Sequence, residues 1–164
     1  MASTVKITVE ARGVLNSLQR LRTDIGNLQP VLRNAAAELT RRVQARFTSK
    51  RDPDGQRWAP WAPSTAARYK RDGRHQLMLY TRQTRDQVKF IAGRNDIRLR
   101  LGTSYAAYHE QPDGPGSGRI PRRAFVFSKR GSGRGLSKSD EQYVYNALRY
   151  QISKSVSAAS GGAA

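Results

Sequence analysis

The chain has 164 residues, one domain's length with arms, and carries 30 Lys and Arg against 12 Asp and Glu, a formal net charge of +18. It has no cysteine, which excludes disulfides, thiolate catalysis and cysteine-based metal sites. No apolar run approaches a bilayer span, and the opening MASTVKITVE lacks the apolar core of a secretory signal, so synthesis and residence in the cytoplasm are expected, with no membrane partner.

The charge is spread along the chain: 9 basic and 3 acidic groups in residues 1–50, 12 and 5 in 51–100, 9 and 4 in 101–164. This is not a neutral domain with a basic tail, and self-repulsion at +18 calls for polyanions, acidic partners or counterions. Arg outnumbers Lys 23 to 7, which favours bidentate pairing to carboxylate or phosphate over mere solubility.

Val5, Ile7, Val9 and Ala11 alternate with polar residues and predict a strand with one wet face, ended by Gly13. Leu15, Leu18, Leu21 and Ile25 then recur at helical spacing up to Gly26-Asn27. Pro30 fits the first turn of a second helix. Leu32, Ala36, Leu39, Val43 and Phe47 give that helix one apolar stripe to about Lys50, with Arg33, Arg41, Arg42 and Arg46 on its flanks.

Residues 51–63 hold three prolines and an Asp-Gly turn signal, so they are loop, and Trp58 and Trp61 pin that loop to a core or a partner. Ser64 is placed to cap a short helix through Lys70, and Leu77–Gln83 reads as helical or turn-like. Val88, Phe90 and Ala92, then Ile97, Leu99 and Leu101, alternate on either side of a Gly93–Asp96 turn, a hairpin. Tyr105–Glu110 reads as one helical turn, 111–118 as loop and Arg119–Phe127 as a strand. Residues 128–138, basic and Gly/Ser-rich, read as a mobile arm. Ser139 and Gln142 match a capping box opening a last helix striped by Val144, Leu148, Ile152 and Val156. The expected fold is α+β: a small antiparallel sheet packed against helices, with extended loops and arms, as a single domain over 1–157 and a flexible tail at 158–164.

No catalytic constellation emerges. His75 and His109 have no partner at ligand spacing, and no cofactor or metal is expected. Asp52-x-Asp54-Gly55 resembles an oxygen-ligand loop but lacks the later Glu of an EF-hand, so a turn is expected. Gly114, Gly116 and Gly118 enclose Pro115 and open no helix, against a dinucleotide loop. His109 and Glu110 are adjacent, and adjacent helix residues point apart. Arg119–Arg134 holds six basic residues and no acid, which points to phosphate or an acidic protein surface. No helix-turn-helix, zinc-finger or RNA-reading signature accompanies it.

The string Asp52-Pro53-Asp54-Gly55-Gln56-Arg57-Trp58 is followed by Tyr105-Ala106-Ala107-Tyr108-His109 and then Ile120-Pro121-Arg122-Arg123-Ala124-Phe125. In this order and spacing, over about residues 30–155, the chain resembles the phage virion morphogenesis, or tail completion, proteins typified by the G protein of phage Mu and the S protein of phage P2. It departs from their usual pattern in Glu110 after the His and in Val126 after Phe125. The resemblance implies a non-enzymatic structural protein of the virion neck or tail end, acting in tail completion or head–tail joining as a homo-oligomeric ring, sixfold, around the DNA path. Its implied partners are copies of itself, other neck or tail proteins and the genomic DNA passing through. Trp58, Trp61, Ile120, Pro121, Arg122, Arg123 and Phe125 are then assembly candidates, and Arg119, Lys129, Arg130, Arg134 and Lys138 face a partner or DNA. The competing class is a basic nucleic-acid-binding protein without sequence-specific readout. A third and weaker one, an RNA-cleaving toxin, rests on His109 alone.

Overall fold

A computed structural model describes Gln19, Thr23 and residues 27–74, 76–79, 81–103, 105–110, 121–130 and 133–160. The strand expected at 5–11 and the loop at 111–118 lie outside those residues, and so does most of the helix expected at 14–26, of which only Gln19 and Thr23 are described.

The long helix α1, Gln29–Ser49, carries Pro30 in its first turn and buries Leu32, Ala35, Ala36, Leu39, Val43 and Phe47 along one face. It stops where Lys50 enters the left-handed region at φ 54° and donates its N–H to Arg46 O. The short α2, Pro63–Arg71, begins on proline rather than on a Ser64 cap, and its last turn holds Arg68, Lys70 and Arg71, where cations suit the helix C-terminus. The helical turn expected within 77–83 lies later, as α3, Gln83–Gln87. Met78 and Arg82 take positive φ, 62° and 58°, which breaks any helix across 77–82.

Strands β1, Lys89–Ala92, and β2, Ile97–Arg100, form the expected antiparallel hairpin. The hydroxyl of Thr40 fastens it to α1, donating to Ala36 O at 2.8 Å and accepting the Phe90 N–H at 2.9 Å. A single helical turn, α4, spans Ala106–Glu110. The strand expected across 119–127 is absent over 121–127, whose backbone is irregular. Beyond it, where an arm was expected, β3, Ser128–Arg130, pairs antiparallel with β4, Gly133–Gly135.

The last helix, α5, Lys138–Ser160, packs on α1 and runs three residues into the segment expected as tail. Its cap sits two residues earlier than the Ser139–Gln142 box: Ser137 Oγ accepts the Asp140 N–H at 3.2 Å. The architecture is α+β, with its main core made by Val43, Phe47, Trp58, Leu77, Val88, Ala106, Phe125 and Val126.

Candidate functional site

Trp58, Arg123 and Phe125, singled out in the sequence, converge on one place, where the loop 51–61 meets the segment 121–128. Each half is ordered from within. Asp52 Oδ1 accepts the N–H groups of Asp54 and Gln56 at 3.0 and 2.8 Å, closing an Asx turn, and Arg51 pairs with Arg57 as an isolated antiparallel bridge. Asp52 is thus a turn former, and among the described residues no group of three or more His, Asp or Glu is placed to hold a metal ion.

Trp58 is buried and stands edge-on to Phe47, with ring centroids 5.4 Å apart. Its indole N–H donates to Ala124 O at 2.8 Å, so the ring fills the core while its one polar atom ties the two segments together. Arg123, 5% exposed, donates from Nε to Ala59 O at 2.8 Å and from Nη2 to Pro60 O at 2.9 Å. Ser128 Oγ and Asp54 Oδ1 lie 2.6 Å apart. Phe125 is fully buried against Phe47.

Among the described residues the irregular backbone of 125–127 pairs with no strand and needs another acceptor for its amides. Glu110 supplies it: Oε1 accepts from Phe125 and Val126, each at 2.7 Å, and Oε2 from Phe127 at 3.0 Å. Arg122 braces the same turn, donating to Phe127 O at 2.7 Å. Burial pushes the Glu110 carboxyl above the usual carboxylate range, while the three amides and Arg122 draw it back down. From the helix side, Arg46 donates to Phe125 O at 2.8 Å and pairs with Asp140, which is itself buried. Arg42 adds a second contact to Asp140 at 3.4 Å and lies over the Tyr143 ring.

Beside this lock opens a cleft of about 670 Å³, lined among others by Trp61, Tyr69, Met78, Tyr105, His109 and Pro121. Trp61 is half-buried and edge-on to Tyr69 at 5.0 Å. His109 is held near pKa about 4, chiefly by burial and then by the Arg123 guanidinium, against a hydrogen bond to the Pro121 backbone. Among the described residues its buried Nδ1 has no hydrogen-bond partner. Glu110, turned onto the amides of 125–127, does not form an acid–base pair with this ring.

Of the assembly candidates, Trp58, Arg123 and Phe125 are committed inside the chain, Arg122 is half-buried, and Trp61 and Pro121 reach the surface. Ile120 and Arg119 lie outside the described residues. Lys129, Arg130 and Arg134 sit on the β3–β4 hairpin, with Lys138 exposed at the first turn of α5. Sequence reasoning missed Glu110, Arg46 and Ser137 as organisers of the site. The available signal for Glu110 was one acid on a helical turn ahead of an apolar run that has no strand to pair with.

The model of the phage virion morphogenesis family matches residues 9–153. No curated protein and no solved structure matches the chain significantly.

Proposed function

The chain belongs to the phage virion morphogenesis family, and from that membership we infer that it is a structural subunit of the neck or tail end, completing the tail or joining it to the head as a ring around the DNA path. Its part in building the virion follows from the family. The observation that supports the finer reading is the double lock on irregular backbone, in which Trp58 and Arg123 hold 51–61 and 121–128 to each other and Glu110 holds the amides of 125–127. Rigid, non-repeating loops of this kind present fixed edges to neighbouring subunits at no ordering cost on assembly. Trp61 and Pro121, which line the cleft and reach the surface, are side chains that a neighbouring copy would meet.

The subunit contact is heterologous, so closure into a ring, sixfold in this reading, depends on the rotation between copies. Turnover has no part in the reading: burial and the Arg123 guanidinium hold the His109 ring neutral, and among the described residues its buried Nδ1 has no hydrogen-bond partner. The β3–β4 hairpin is assigned to an acidic neck or tail protein rather than to DNA, since a tightly binding arginine cluster would grip a genome that must slide. Electron micrographs of particles assembled without this protein test the reading. Separate heads and unfinished tails are expected, and complete joined particles would overturn it. Native mass of the assembled neck component checks the ring.

A further inference from the structure

The register of β1 and β2 is fixed by their inner face. Phe90 lies opposite Leu99 and Ala92 opposite Ile97, all half-buried, with Phe90 and Leu99 packed on the core. A slip of one residue would carry that whole set into water. The same register dictates the outer face, where Lys89 stands directly opposite Arg100 and Ile91 opposite Arg98, all four exposed. Like charges directly opposite each other destabilise a sheet. Asp96 meets Arg98 at 2.7 Å, but among the described residues no carboxylate forms a salt bridge with Lys89 or Arg100. Arg94 extends the array onto the connecting turn, where it is exposed.

We propose that this outer face of the β1–β2 hairpin binds the phosphate backbone of duplex DNA without reading its bases. Three features favour DNA over an acidic protein. The cations are fixed to a packed hairpin, so contact costs little ordering entropy. Arg98 and Arg100 stand two residues apart on β2, about 6.8 Å along a strand, against a polyanion with a negative charge every ~1.7 Å of axis, which leaves the contact free of sequence register. The face offers one apolar group, Ile91, where a protein interface needs a cluster of buried anchors. Cations spread over a flat face also grip more weakly than a pocket, as a sliding genome requires.

The inference rests on the reading that the chain lies on the DNA path, and the experiment separates the two. The full chain is titrated with a labelled duplex of about 30 base pairs, of arbitrary sequence, from ~50 to ~200 mM salt. Replacing Lys89, Arg98 and Arg100 together by Gln is expected to flatten the slope of log K against log salt by about 2–3, at ~0.9 per lost phosphate contact. Affinity at the lowest salt should fall by roughly tenfold. Melting of the variant should stay level or rise, because the opposed like charges are gone. Replacing Lys129, Arg130 and Arg134 by Gln should change the slope far less. If the triple variant fails to fold, Lys89→Thr alone, which suits a strand, is expected to reduce the slope by about 0.9. Wild-type binding that the folded hairpin variants leave unchanged overturns this inference and leaves the DNA-path reading standing. No salt-dependent binding by the wild-type chain overturns the inference, while the DNA-path reading is decided by the micrographs of particles assembled without the protein. Retained DNA binding with lost binding to a purified acidic neck protein assigns the face to protein and overturns the inference.

Discussion

Glu110 accepts the Phe125 amide on Oε1 at 2.7 Å, and the same carboxylate takes the next two amides, Val126 at 2.7 Å and Phe127 at 3.0 Å. One side chain thereby does the work of a neighbouring strand for three consecutive residues. Glu110→Ala leaves three N–H groups without their acceptor in the core and is expected to cost roughly 3–5 kcal/mol. Glu110→Gln keeps one acceptor oxygen but turns an NH2 group toward a donor, for about 1.5–3 kcal/mol. Urea unfolding of both variants measures this; equal stability of Glu110→Gln and wild type would contradict it.

Trp58 combines core volume with its bond to Ala124 O. Trp58→Ala is expected to cost about 3–5 kcal/mol through the cavity it leaves. Trp58→Phe retains the aromatic contact with Phe47 but strands the Ala124 carbonyl, costing about 1–3 kcal/mol. Thermal melts that order the variants differently would show that the bond to 121–128 is not what the indole provides.

What could be read from the sequence was what local periodicity carries. The stripe from Leu32 to Phe47 yields α1, the alternation Phe90–Ala92 and Ile97–Leu99 yields the hairpin, and two tryptophans among prolines mark a pinned loop. What could not be read depends on partners distant in the chain. Arg46 sits on the flank of an amphipathic helix and reads as solvated, yet its guanidinium meets Asp140, 94 residues later. That pairing also explains the shifted cap of α5: Asp140 is held inside the fold on Arg46, and Ser137, three residues earlier, is the hydroxyl that meets its N–H. Phe125–Phe127 has the composition of a strand, and only the position of Glu110 reveals that its amides are taken by a side chain.

The buried Asp140 carboxylate supports a second prediction about charge. Asp140→Ala leaves Arg46, whose side chain is 13% exposed, without its carboxylate, and is expected to cost about 3–5 kcal/mol. Glu38, bonded to Arg42 at 2.9 Å on the helix surface, is the comparison. Its carboxyl is drawn down to about 2 by hydrogen bonds to Arg41 and Arg42, yet water screens the pair, and Glu38→Ala should cost no more than about 1 kcal/mol. Denaturation midpoints for the two variants decide the ordering.

Gly102 takes φ +80°, and a Cβ there would lie 2.3 Å from Gln87 Cβ and 2.8 Å from Gln87 O. Left-handed strain and overlap with backbone act together, so Gly102→Ala is expected to cost at least about 2 kcal/mol. At Gly55, which has φ +85° with no atom of the described residues within 4 Å of the added carbon, the strain is what remains, about 1 kcal/mol. Similar melting of the two variants would contradict the role given to Gln87.

His109 makes stability depend on pH in a direction that the geometry sets. In the unfolded chain its ring takes up a proton near 6.5, in the fold only near about 4, because burial and the Arg123 guanidinium oppose the charge. Between those values the unfolded chain binds more protons, so stability rises with pH. The contribution is fully present above about 6.5 and is lost as pH falls through about 4. The full shift corresponds to about 3 kcal/mol, and screening from the open side of the cleft reduces the expected size to about 1–2 kcal/mol. Glu110 works in the opposite sense. Its folded pKa is raised by burial, so its contribution is fully present below the ordinary carboxylate value and is lost as pH rises through the raised one. The two are separated by subtraction, because His109→Gln removes the imidazole and leaves the Glu110 amide bonds in place. The difference in unfolding free energy between wild type and His109→Gln should therefore grow in favour of wild type as pH rises from about 4 to about 6.5, then level off. A difference that stays flat across that interval would mean that the ring titrates alike in the folded and unfolded chain, and that the cleft does not hold it neutral.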